Sequence, residues 1–252
     1  MDLFSHSRVA QGYSQFRPRF HAQVIAQIRE ALGLQTRISR ILDVGCGTGL
    51  STVPLTALGQ TVIGVDRAME MVFNAERGST VDYVVSTAEE LPFLPGTFGA
   101  LSVAGAINWI NRGQFLPEAY RLLSTSGWLL MYDGAELGTM VGNEAFRPWY
   151  KEEYLVRLPR PPRDERRMEE SEARDSGFRI VHRTEYVLEL PFVLSCYVEL
   201  LLTQSNTTVA VAQHRELVGA IRSWLTESLQ GFFMGKEQQM LFGGYIWCLQ
   251  RS

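Results

Sequence analysis

Residues 41–55 read ILDVGCGTGLSTVPL, an apolar run that ends in Asp43 and Val44 and breaks into three alternating glycines, Gly45, Gly47 and Gly49. Glycine is costly inside regular structure because it loses more backbone freedom on folding than any other residue. Three so close together imply a turn that bends through left-handed backbone or lets a ligand come close to the main chain. Asp43 stands just before that turn, so it constrains which ligand the turn accepts.

The flanking segments alternate in character. RILDV reads as a short buried strand ending at the glycines. LSTVPLTALG is expected to be a helix closed by Gly59, with Pro54 tolerated near its first turn. TVIGVD is a second strand ending in Asp66, and AMEMVFNAERG a second helix with Gly78 as its expected C-cap. VDYVVS and ALSVAGA read as strands, GQFLPEAYRLLSTSG as a helix and WLLMYD as a fifth strand. Continuously apolar strands alternating with helices argue for a parallel sheet covered on both faces. After residue 134 the pattern changes. NEAFRPWYKEEYLVRL is helical and aromatic, PRPPRDERR is expected to be a solvated connector, GFRIVHRTEYVLEL returns to strand character, and LFGGYIWCLQ is a last strand.

Composition excludes several classes. The formal net charge of −3, with no basic block, gives nucleic acid no electrostatic support. Cys46, Cys196 and Cys248 are odd in number and far apart, which fits a reduced, cytoplasmic protein without a disulfide framework. The first twenty or so residues lack an apolar leader, so no signal peptide is expected. The most apolar stretch, VLELPFVLSCYVELLL, carries Glu189, Pro191 and Glu199 and reads as buried elements, so no membrane span is expected. His6, His21, His182 and His214 have no partners at metal-ligand spacing, so no metal site is expected.

In a doubly wound sheet, ligands bind outside the carboxyl ends of the strands. Asp43, the glycine loop, Asp66, Thr87, Ala104 and Gly105 all fall at such ends. A dinucleotide would put its pyrophosphate on the turn and prefers G-x-G-x-x-G. Here Leu50 stands where that third glycine belongs, and Asp43 would repel the phosphates. S-adenosylmethionine carries no phosphate. Asp43 attracts positive charge at its methionine end, and Asp66 can accept both ribose hydroxyls.

ILDVGCGTG resembles the first motif of class I S-adenosylmethionine-dependent methyltransferases, and GVDRAMEMV resembles the second. STAEELPFLPGTFGAL, AGAINWI and EAYRLLSTSGWLLMYD resemble the segments that follow. SRVAQGYSQFRPRF is similar to the opening of the small-molecule members, the trans-aconitate and quinone-biosynthesis type. The resemblance covers about residues 7–133. It implies a Rossmann-like, doubly wound, seven-stranded, mostly parallel sheet with helices on both faces, a C-terminal antiparallel strand and helical cap insertions. It implies a single domain over 1–252, with N-terminal lid helices at 1–30, a cofactor core at 38–134 and substrate-side insertions at 138–175 and 192–230.

For the cofactor, the resemblance implies that Gly45, Gly47 and Gly49 meet the methionine portion beside Asp43, and that Asp66 and Arg67 lie at the ribose strand end. Met71, Thr87, Ala88 and Glu89 would surround the adenine, with Ala104 at the next strand end. Tyr13 and Arg17 would close over the methionine carboxylate. Thr87 stands where many relatives have Asp, and Asn108 where relatives often have His. Cys46 lies near an expected helix N-terminus that would lower its pKa, but the resemblance makes it a packing residue.

The implied activity is transfer of a methyl group to an O, N or C atom of a small, largely apolar metabolite. The alternative is a non-catalytic S-adenosylmethionine-binding or partner-binding subunit. No catalytic base stands out; Tyr13, Asn108 and Tyr150 are the candidates to line the acceptor site. The acceptor is expected between the glycine-loop face and aromatic segments at 146–154 and 192–202, which hold Phe146, Trp149, Tyr150, Phe192, Tyr197, Leu201 and Leu202.

Overall fold

The computed structural model describes residues 7–252. His6 and the start of the expected lid lie outside the described residues. Helices α1 (Ser7–Phe16) and α2 (His21–Ala31) precede strand β1 (Ile38–Val44). Strand β2 (Gly59–Asp66), helix α3 (Met69–Phe73), β3 (Val81–Val85), β4 (Phe98–Ala104) and α4 (Arg112–Leu122) follow. Next is the long β5 (Leu123–Met140), which leads into α5 (Phe146–Pro148), a π-helical turn (Trp149–Tyr154) and α6 (Leu155–Arg157). The chain continues with α7 (Glu170–Asp175), β6 (Phe178–Phe192), α8 (Leu194–Leu202), α9 (Ser205–Ala212), α10 (Val218–Phe233) and β7 (Gln238–Arg251).

The seven strands form one sheet in the order β3-β2-β1-β4-β5-β7-β6. β1 pairs in parallel with β2 on one side and β4 on the other, with Asp43 opposite Gly64 and Ser102. β3 and β5 extend the parallel set, and the C-terminal strands are antiparallel. The chain leaves β1 toward β2 but reaches its other neighbour only after β3. The carboxyl end of β1 is therefore the crevice where the winding reverses. Burial follows polarity. The last four residues of β1 are buried, matching its apolar run. FRIVHRTEYVLELPF in β6 alternates polar and apolar residues, as an edge strand with one solvated face does.

Two expected helices differ. Residues 50–58 form turns and a short 3-10 helix, Pro54–Ala57, instead of an α-helix, and Gly59 begins β2 instead of closing a helix. Proline donates no N–H, and the hydroxyls of Ser51 and Thr52 bond to Asp43. The helix after β2 ends at Phe73, with Asn74 as its cap, so Gly78 is not the cap residue.

The chain divides into two compact units. One holds residues 7–18, Gly134–Pro162 and Val187–Gly243; the other holds Arg19–Asp133, Arg163–Tyr186 and Gly244–Ser252. The second unit, the sheet unit, has a core of Leu42, Val65, Leu101, Phe115, Leu129 and Trp247, among others. The expected connector is irregular, but it is anchored in this unit. Arg112, almost fully buried, bonds to the Arg166 carbonyl at 2.7 Å and pairs with Glu172. The first unit, the helical unit, has its own aromatic core. Phe146, Trp149, Tyr150, Phe192, Tyr197, Leu201 and Leu202 are all buried in it. These side chains therefore pack on one another, which their amphipathic spacing did not reveal. Among the described residues, no helix is long and apolar enough to cross a membrane.

Candidate functional site

Asp43 closes β1 and is wholly buried. Its Oδ2 accepts hydrogen bonds from Ser51 Oγ at 2.6 Å and Thr52 Oγ1 at 2.7 Å. The Ser102 hydroxyl also faces the carboxylate, and the buried Thr48 hydroxyl has no hydrogen-bond partner. Burial pushes the Asp43 carboxyl up to about 6, the nearby hydroxyls oppose that shift, and the charge of Asp66 adds to it. This carboxylate therefore holds the turn after the glycines.

The three glycines are not equivalent. All have positive φ, +70° at Gly45, +54° at Gly47 and +79° at Gly49, so each occupies backbone that L side chains rarely adopt. A Cβ at Gly45 would stand 2.4 Å from the Ala106 Cβ, and one at Gly49 would stand 2.2 Å from the Tyr83 hydroxyl. At Gly47 nothing lies within 4 Å of that position. Gly45 and Gly49 are thus closed in by the protein, while Gly47 faces open space.

Asp66 ends β2 and bonds through both carboxylate oxygens. Oδ2 accepts from the Gly47 N–H and Oδ1 from the Ala68 N–H, each at 2.9 Å. It ties the glycine loop to the start of α3. Asp66 pairs in register with Val85, so the loop after β3 begins at the neighbouring strand end. There Thr87 is exposed and bridged to Glu90, and Ala88 packs partly on the core. Glu89 Oε1 accepts the Asn111 N–H at 2.9 Å. Met71 is buried, Arg67 is exposed, and Ala104 is half-buried beside Gly105 at φ +65°. These groups share the carboxyl edge of the parallel strands.

Other expected residues have different surroundings. The Arg17 guanidinium bonds to the Thr203 hydroxyl and carbonyl, each at 3.0 Å, and lies 4.4 Å from the centre of the Tyr13 ring. Asn108 is half-buried, and its carbonyl accepts the Asp164 N–H. Cys46 is buried; burial and the charges of Asp43 and Asp66 push its thiol up, so the expected low pKa is corrected. No helix N-terminus stands there to lower it, because the turn replaces the helix.

Sequence reading missed Ser51, Thr52, Ser102 and Tyr83. Tyr83 fills the space beside Gly49 and Gly64 and donates to the Glu76 carbonyl at 2.6 Å. The readable signal was Gly64, since a glycine inside a strand marks the close approach of another group. His21 Nδ1 lies 3.1 Å from the Tyr132 hydroxyl, and burial lowers its pKa to about 4. Among the described residues, no group of three or more His, Cys, Asp and Glu could hold a metal.

The arrangement fits S-adenosylmethionine in its donor set. It has an open main-chain cradle at Gly47, a buried carboxylate at the end of β1 and an acid at the next strand end.

Residues 42–131 match the methyltransferase domain family. The chain is 28% identical to a candidate methyltransferase of Dictyostelium discoideum, over 54% of this chain and 51% of that protein. It is 34% identical to a demethylmenaquinone methyltransferase of a Mycobacterium species, over 49% of this chain and 52% of that one. The chain thus spans about half the length of these curated relatives. A solved structure from Anaeromyxobacter dehalogenans, named as a candidate type II methyltransferase, superposes with a TM-score of 0.71 at 18% identity, covering 94% of this chain and 98% of that one. The fold is therefore the Rossmann-like methyltransferase fold. That fold also serves other chemistry: the cyclase SpnF superposes with a TM-score of 0.51 at 18% identity, over 91% of this chain and 81% of that one.

Proposed function

We propose that this chain, which carries a methyltransferase domain in residues 42–131, is an S-adenosylmethionine-dependent methyltransferase acting on an O, N or C atom of a small, largely apolar organic molecule. The observation that carries the reading is Gly47, a left-handed glycine facing open space between two glycines that the protein itself closes in. A ligand laid there meets main chain, with Asp66 at the adjacent strand end. Asp66 would take the ribose hydroxyls, with Arg67 near them. Met71, Thr87, Ala88, Glu89 and Ala104 would border the adenine side.

When bound, S-adenosylmethionine supplies a methyl group already activated on a sulfonium. The protein's share is alignment and exclusion of water. A base is required only when the acceptor must lose a proton. The three cysteines are free, which supports a reducing, cytoplasmic setting.

Calorimetry tests the cofactor. S-adenosylmethionine and its demethylated product are expected to bind, and binding of NAD(P) with no heat from either sulfur nucleoside would overturn the reading. Asp66→Ala is expected to weaken that binding by about 1–3 kcal/mol, the scale of hydrogen bonds to a charged acceptor. An unchanged dissociation constant would put the ribose elsewhere. A metabolite-extract assay with labelled methyl donor tests the acceptor. Label expected in the organic-soluble fraction but found in tRNA, DNA or protein would refute the small-molecule part. Binding without any transfer would favour the non-catalytic subunit.

A further inference from the structure

A cavity of about 420 Å³ opens in the helical unit between α8 and α10, a volume in the range of small-molecule sites. No residue of the cofactor edge lines it. One wall is aliphatic: Val193, which caps α8, with Leu194 and Val198 of that helix. Val198 is buried, Leu194 half-buried and Val193 exposed, so the apolar wall runs from the interior to the surface. The other side is Thr226 of α10 and the turn that follows that helix. Met234 ends α10 in left-handed backbone at φ +48°, and the Lys236 N–H bonds to the Phe233 carbonyl at 2.9 Å. That turn brings Gly235 and Lys236 to the cavity.

The charged groups that line it are Glu199, Arg222 and Lys236. Arg222 directs two nitrogens at Glu199: Nε donates to Oε1 at 2.7 Å and Nη2 to Oε2 at 3.1 Å. A guanidinium also carries N–H groups on its third nitrogen, Nη1, which are left for another acceptor. Burial, and after it the charge of Arg222, hold the Arg8 guanidinium of α1 below its usual range, and Glu199 opposes the shift. Arg8, Arg222 and Lys236 thus stand against one acid. Glu227 and Glu237 are exposed and line no part of the cavity. Like charges gathered at a partly dry site repel one another, and an anion relieves that cost. A carboxylate is an anion whose two oxygens match a guanidinium. None of the lining residues is aromatic, so the wall suits a flexible chain better than a stacked ring.

We propose that this cavity binds an aliphatic carboxylate, with its chain along Val193, Leu194 and Val198 and its head group on Arg222 and Lys236. Such binding is separate from methyl transfer and does not depend on it.

The test is calorimetry of the full chain, without S-adenosylmethionine, against octanoate, octylammonium, 1-octanol and acetate. Octanoate is expected to bind saturably and at least about tenfold more tightly than each of the others, since two lack the carboxylate and acetate lacks the chain. Arg222→Gln is expected to weaken octanoate about tenfold and Lys236→Gln about threefold. Thr226→Trp, which fills the cavity from an exposed position, is expected to abolish saturable binding. An Arg222 that served only its ion pair would leave the affinity of Arg222→Gln unchanged. No saturable binding, octylammonium or octanol binding as tightly as octanoate, or wild-type affinity in both Arg222→Gln and Thr226→Trp would overturn the site. So would a wild-type dimer that Thr226→Trp dissociates in sedimentation, since the cavity would then receive a second copy of the chain. Because no methyl donor is present, these outcomes are independent of whether methyl transfer occurs.

Discussion

Gly49→Ala is expected to destabilise the protein by about 3–5 kcal/mol, whereas Gly47→Ala costs only about 1–2 kcal/mol yet removes cofactor binding. Both positions have left-handed backbone, which accounts for the shared cost of about 1–2 kcal/mol. At Gly49 the new methyl would meet the Tyr83 hydroxyl, and moving that ring breaks its bond to the Glu76 carbonyl, adding overpacking and a lost hydrogen bond. At Gly47 the methyl meets no protein atom. It would instead project into the space proposed for the methionine portion, lowering affinity at least about tenfold, or 1.4 kcal/mol. Urea unfolding measures the first effect and calorimetry with S-adenosylmethionine the second. Similar urea midpoints for the two variants would contradict the packing argument. Wild-type binding by Gly47→Ala would move the cradle away from that glycine.

The second large effect is a pair of opposed titrations between pH of about 4 and 6.5. The Asp43 carboxyl is raised from 3.8 to about 6, so its ionisation opposes folding. Its contribution to stability is full below its unfolded value and is lost as pH rises through about 6, on the order of 3 kcal/mol for a wholly buried group. His21 is lowered from 6.5 to about 4, so its protonation opposes folding. Its contribution is present above 6.5 and is lost as pH falls through about 4. Within the window the two offset one another. His21→Gln, which can keep a bond to Tyr132, is expected to leave a protein whose stability rises as pH falls. Asp43→Asn should leave one whose stability falls as pH falls. Urea midpoints measured across that window check both, and parallel profiles for the two variants would refute the assignment.

What was readable in the chain was local. Three glycines that need positive φ, an acid before them and an acid at the next strand end follow from residue type and spacing, since a left-handed turn and a strand end are defined within a few residues. The alternation of apolar strands with helices likewise implies a parallel sheet. The segment after the glycines was misread because helical patterning is judged by periodicity. Here Pro54 and the pull of Asp43 on Ser51 and Thr52 decide otherwise, and a turn results.

The aromatic segments show the larger gap. Phe146, Trp149, Tyr150 and Tyr197 read as a roof over a cleft, yet they form the core of the helical unit. Periodicity says which side of a helix is apolar but not what covers it. Glu136 was one of two acids in YDGAELG. Only the packing of Tyr150 into the space beside Gly138, with Tyr197 brought from far along the chain, buries that acid. The sequence by itself determined the glycine turn, its two carboxylates and the parallel sheet, because short-range backbone preference and charge act between near neighbours. Only the tertiary structure decided which glycine faces open space, which hydroxyls hold Asp43 and which tyrosines face the buried Glu136. Those depend on which distant side chains exclude water from one another.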